Sequence, residues 1–199
     1  MYARPVEARH RGNRHGRSEA ARLAVLEAAD DLLVELGFAS LTIEGIAARA
    51  GVAKQTIYRW WSSKTDILLE SLAVDAVEHF DTAAHEDLGA DLRAHLRRLA
   101  VFLTETDAGA VWLALAGQAQ HDTAVAARFE AEVVLPQRER DRAPLLRAIE
   151  SGALPGNEDV ELAIDQLVGP IYYRALVTRQ PVPARFTDAL VSHYLGART

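Results

Sequence analysis

Between Lys54 and Arg59, inside the stretch GVAKQTIYRWWSSK at residues 51–64, a lysine, a glutamine, a threonine, a tyrosine and an arginine stand almost side by side. The chemistry these types offer is recognition. Gln55 and Arg59 each present paired hydrogen-bonding groups that match base edges. Lys54 and Tyr58 reach phosphate oxygens, and Thr56 carries both a methyl and a hydroxyl. Helical periodicity puts Val52, Ile57 and Trp61 on one side and Lys54, Gln55, Thr56, Tyr58 and Arg59 on the other. The first group faces a core and the second faces outward. From the residues alone, a helical hairpin with a solvated polar face stays open beside DNA binding.

Three further segments must position this helix. From Ser18 to Gly37, SEAARLAVLEAADDLLVELG places Leu26, Ala29, Leu33 and Leu36 at helical spacing, with Ser18 as a cap and Gly37 as a stop. A short helix follows, with Thr42 as cap, Ile43, Ile46, Ala47 and Ala50 on one face, and Gly51 closing it. The next helix starts at Lys64, capped by Ser62 or Ser63, and runs to about Ala84. Two short helices joined at Ala50-Gly51-Val52 behind a longer support helix make a helix-turn-helix.

The rest of the chain also reads as helices, over roughly 88–105, 108–120, 122–150, 158–179 and 184–195. Pro136 and Pro144 should break or kink the third of these, and Pro170 the fourth. No segment alternates with period two, so the fold class is all-α. The expected organisation is a disordered basic arm at 1–17, a helix-turn-helix domain at 18–64 and a larger helical domain at 65–199.

Charge is unevenly shared. The net value is −6, yet residues 1–65 hold ten Lys/Arg against seven Asp/Glu, while 66–199 hold twelve against twenty-one. A basic end on an acidic body fits a module that meets phosphates. The absence of cysteine excludes disulfides and thiolate chemistry and suits a reducing cytoplasm. No apolar run is long enough for a membrane helix. No G-x-S-x-G, phosphate-binding glycine loop or H-E-x-x-H pattern occurs, so neither an enzyme, a cofactor nor a metal site is expected.

The span LTIEGIAARAGVAKQTIYRWWSSKTDILLESL, residues 41–72, resembles the DNA-binding module of the TetR (tetracycline repressor) family. The resemblance rests on the I-A-x-x-A-G-V turn, the T-I-Y-x-x-W recognition helix and the S-K-x-x-x-L that follows. It implies that Thr42, Lys54, Gln55, Thr56, Tyr58, Arg59 and Trp60 contact DNA and that Lys64 clamps a phosphate. Two departures stand out: Ala53 occupies the usual cap position of the recognition helix, and Gly45 lies inside the preceding helix. LVGPIYYRALVTRQPV, residues 167–182, is similar to a family subgroup in its ligand-binding and dimerisation domain.

That likeness implies a homodimer on a palindromic double-stranded operator, released by a small hydrophobic effector. The dimer interface is expected at Ile164, Leu167, Ile171, Leu190 and Tyr194. Phe80, His95, Phe102, Trp112, Leu115, Gln118, Phe129 and Tyr172 are the candidate pocket residues. The competing reading is a small-molecule-binding helical protein with a vestigial DNA module. The intact set from Lys54 to Arg59, with Lys64, speaks against it.

Overall fold

The computed structural model describes residues 14–80 and 87–196, with side chains from 18–75 and 87–196. Its elements are α1 (Arg14–Leu36), α2 (Ile43–Ala50), α3 (Lys54–Tyr58), α4 (Lys64–Phe80), α5 (Leu88–Glu105), α6 (Asp107–Ala119), α7 (Thr123–Phe129), a π turn (Glu130–Val134), α8 (Leu135–Glu150), α9 (Val160–Tyr172), a second π turn (Tyr173–Thr178) and α10 (Ala184–Gly196). Among the described residues there is no strand, and the all-α expectation holds.

The boundaries differ from expectation in three places. α1 begins at Arg14, so Ser18 lies inside the helix instead of capping it, and of the arm expected at 1–17 residues 1–13 lie outside the described residues. The long helix at 122–150 is interrupted before its prolines, by the π turn at Glu130–Val134. Pro136 then sits in the first turn of α8, where a missing N–H goes unnoticed, and Pro144 is tolerated inside the same helix. α9 runs through Pro170 and loosens only at Tyr173, where five-residue hydrogen bonding takes over.

Helices α1 to α3 close around Leu33, Ile46, Ile57 and Trp61, all buried. α4 leaves this group and packs on α1, α6 and the first π turn, while α5, α6, α8, α9 and α10 form the body. The buried apolar side chains make one cluster from Val25 to Tyr194, so the core runs unbroken across the expected boundary at 64/65. No single described helix is long and apolar enough to cross a membrane. α5 and α6 are bent 80° from each other. At that corner Thr106 Oγ1 donates to Phe102 O at 2.7 Å and accepts from Gly109 N at 3.0 Å. A Cβ at Gly109 would lie 2.0 Å from the Phe102 carbonyl oxygen, so only glycine fits.

Asp30 on α1 accepts a hydrogen bond from Ser71 on α4, while its Oδ1 is buried with no partner. Burial pushes the carboxyl up to about 7 against the pull of the Ser71 bond, with the charges of Asp75, Asp107 and Asp31 adding to the rise. The folded state thus holds this proton more tightly than the unfolded chain does. The associated stability is fully present below about pH 4 and is lost as pH rises through 7. Asp30→Asn should therefore gain thermal stability relative to wild type as pH is raised from 4 to 7, with the gap levelling off above. A gap that stays flat in melts across this range would contradict the assignment.

Candidate functional site

Thr42 has extended backbone and its Oγ1 accepts from Gly45 N at 3.1 Å, capping α2 as expected. Gly45 is explained by the same contact, because a Cβ there would come within 3.2 Å of that hydroxyl. Gly51 ends α2 in the left-handed region, φ 67°, and turns the chain into α3. Ala53 leaves α3 with no side-chain cap. Burial sorts α3 as the periodicity predicts: Ile57 and Trp61 are buried, while Gln55, Tyr58 and Arg59 are exposed. Trp61 is fixed further by donating Nε1–H to Glu70 Oε2 at 2.7 Å.

The outward residues form a connected patch. Lys54 pairs with Glu44 on α2 and lies 5.5 Å from the centre of the Tyr58 ring. The hydrogen bond to Glu44 raises the Lys54 pKa, so the ammonium stays charged. Arg59 lies 5.6 Å from the centre of the Trp60 ring, which is half-buried and stands edge-on to Trp61. Thr56 is half-buried. The surface can thus offer an amide, a guanidinium, a phenol and an ammonium to one groove.

Lys64 differs from the expected outward clamp. Its ammonium donates to the carbonyls of Phe38 at 2.5 Å and Leu41 at 2.8 Å and lies 4.2 Å from the centre of the Phe38 ring. The side chain ties the loop between α1 and α2 to the start of α4, and burial lowers its pKa. Its long stem can fold back as easily as forward, which spacing does not reveal.

Ser63, not Ser62, caps α4. Its Oγ accepts from Asp66 N at 3.2 Å, and Asp66 Oδ2 accepts in return from Ser63 N at 2.8 Å and Ser62 N at 3.0 Å. The other oxygen of Asp66 takes Arg128 of α7, which also pairs with Glu132 in the first π turn. Burial pushes the Asp66 carboxyl up, but hydrogen bonds from Ser63 and Arg128 more than offset this and hold it below the usual range. One arginine thus joins the first turn of α4 to the π turn.

That π turn borders a cavity in two compartments. The inner one, about 70 Å³, touches Leu72 and Ala73 of α4 together with Phe102 and Glu132. The outer one, about 390 Å³, is lined by Phe129, Ala116, Val168, Asp141 and others. Trp112, Tyr172 and Gln137 line both. Trp112 and Tyr172 stack with centres 5.0 Å apart, and Phe129 meets Trp112 edge-on at 5.3 Å.

Of the candidate pocket residues, Phe102, Trp112, Phe129 and Tyr172 line the cavity. Leu115 is plain core, fully buried and away from the walls, and Gln118 lines neither compartment. His95 stands behind the wall, where its Nε2 is 2.7 Å from Asp141 Oδ1. Phe80 lies outside the described side chains. The sequence reading missed Gln137 and Asp141, although two polar residues four apart on α8 could have marked one face. Gln137 donates to the same Asp141 Oδ1 at 2.9 Å.

The interface expectation also needs correction. Ile164, Leu167, Ile171 and Tyr194 are buried in the protomer's own core, and Leu190 is half-buried. The apolar side chains exposed along this segment are instead Leu162, Tyr173, Leu176 and Val177.

The fold and this surface define a helix-turn-helix protein whose N-terminal head is built onto a larger helical body. Residues 25–71 match the model for bacterial regulatory proteins of the tetR family, and residues 82–194 match that for a tetracyclin repressor-like C-terminal domain. The uncharacterised HTH-type transcriptional regulator YdeS of Bacillus subtilis (strain 168) is 36% identical over 175 residues, 88% of each chain. The DNA-binding transcriptional repressor TetR of Mycobacteroides abscessus is 30% identical over 184 residues, 90% of this chain and 94% of its own. The crystal structure of the TetR family transcription regulator SCO0332 superposes with a TM-score of 0.73 at 34% identity, covering 88% of this chain and 97% of that one. The chain belongs to the TetR family and is a transcriptional regulator with an N-terminal helix-turn-helix domain.

Because Lys64 serves two carbonyls, Lys64→Ala should lower folding stability by roughly 1–3 kcal/mol in urea unfolding. Unchanged stability with lost DNA affinity would return this side chain to a phosphate role.

Proposed function

We propose that the protein is a homodimeric repressor that binds a near-palindromic operator in the cytoplasm and leaves it when a small hydrophobic effector fills the body. The observation that carries this reading is the Asp66–Arg128–Glu132 chain, which links α4, the helix that follows the recognition helix, to the cavity wall. Gln55, Thr56 and Arg59 are the base-facing groups. Lys54, Tyr58, Trp60 and the backbone at Thr42 grip the strands. The repressor sign is supported by the likeness over nearly the whole chain to the Mycobacteroides abscessus repressor.

A recognition helix as short as α3 buries too little surface for a specific site, so two must act together, about 34 Å apart on one face of the duplex. The exposed Leu162, Tyr173, Leu176 and Val177 supply an apolar face for that pairing. An effector releases DNA only if it favours the arrangement that cannot bind it. A hundredfold loss of affinity corresponds to about 2.7 kcal/mol of difference. Effector pressure on Trp112 or Glu132 reaches α4 through Leu72 and Ala73 and through Arg128.

Selection from a random DNA pool should return a near-palindromic site. On that site Gln55→Ala should relax one base preference by about 1–3 kcal/mol, while Lys54→Ala, which removes a strand-gripping cation, should weaken all sequences and reduce the salt slope by about one unit. If both variants bind selected and random DNA as wild type does, this face does not read DNA. Val177→Glu should yield monomers in sedimentation with lost operator affinity. A wild type that stays monomeric at micromolar concentration rules the dimer out.

A further inference from the structure

The walls of the outer compartment carry more chemistry than an apolar effector needs. Asp141 is only 4% exposed yet forms part of the lining. Both of its hydrogen bonds, from His95 and from Gln137, fall on Oδ1, and Oδ2 takes neither. Burial raises the pKa of the Tyr172 hydroxyl, and the negative charge of Asp141 adds to the rise, so this phenol remains a hydrogen-bonding group beside the carboxylate.

The other charges of this compartment are already matched. Arg138 is held by Asp165 at 3.1 Å and by Glu161. It is therefore not a free cation for an anionic guest. An anion entering here would lose its water and meet Asp141, which costs free energy on both counts. A cation beside Asp141 has the Trp112, Phe129 and Tyr172 rings lining the same compartment, and aromatic rings attract positive charge.

We infer that the outer compartment takes an organic amine: an apolar, flat body against the surface that Phe129, Trp112 and Tyr172 present to it, with its ammonium on Asp141 Oδ2. This rests on the reading of the cavity as the effector site and names the class of effector. The size agrees, since about 390 Å³ accommodates a body of two or three fused rings with a short side arm.

The test uses the full chain without DNA and three probes that share one ring system: naphthylmethylamine, naphthylmethanol and naphthoate, titrated by calorimetry at pH 7.5. The amine should bind at least about tenfold more tightly than the alcohol, and the carboxylate most weakly. Asp141→Asn keeps an acceptor for His95 and Gln137, and a circular-dichroism melt checks that it folds. In this variant the preference for the amine over the alcohol should vanish. Equal binding of the three probes, tighter binding of the carboxylate, binding of none, or an amine preference that survives Asp141→Asn overturns the inference. The wild-type ranking stands as a test even if the variant fails to fold. Repeating the titration on operator-bound protein tests the repressor reading separately. An amine that binds through Asp141 but leaves the operator complex intact would sink that reading and leave this one standing.

Discussion

Three groups converge on the carboxylate of Asp66, and the relation between the two ends of the molecule depends on how it divides itself among them. One oxygen caps α4 by accepting from the backbone of Ser62 and Ser63, and the other accepts from Arg128. The cap fixes where α4 begins, with Ser62 and Ser63 between it and Trp61, and so fixes how the chain leaves the recognition helix. The ion pair fixes where α7 and the π turn lie against that same first turn. Arg128 is itself held between two carboxylates, Asp66 and Glu132. Movement of the π turn changes how this one cation is shared, and part-burial makes the sharing stronger than it would be on an open surface.

The stacked rings of Trp112 and Tyr172 give the second connection. They line both the outer compartment and the small void whose far wall is α4. Close-packed interiors transmit displacement because there is nowhere for side chains to go. Here the void offers one direction of yield, toward Leu72 and Ala73. The two paths reach α4 at different places, one at its first turn and one further along, so a push on the body can tilt the helix as well as shift it.

The reading head was legible in the sequence because its signals are local. A threonine before an apolar helical stripe, a glycine at the corner, and aromatic and aliphatic residues at helical spacing each state their own geometry, and Thr42, Gly51, Ile57 and Trp61 are placed as they imply. The body was legible only in outline. Periodicity shows that Ile164, Leu167 and Ile171 are apolar but not whether they face their own core or a partner. The π turns escaped because a single turn of i→i+5 bonding between two α-helical stretches has no residue signature of its own. Lys64 escaped because the position of its Cα was clear while the direction of its four-carbon stem was not. Asp141 and Gln137 were passed over because their meaning depends on His95, which arrives from another helix.

Gly109 never touches the cavity, yet it takes part in shaping it. Its missing side chain lets the start of α6 sit on the carbonyl of Phe102, and Phe102 and Trp112 are both wall residues. Any larger residue at 109 must part the two helices at their corner and carry those rings with it. The bend of the corner and the placing of two cavity walls therefore hang on one absent methyl group.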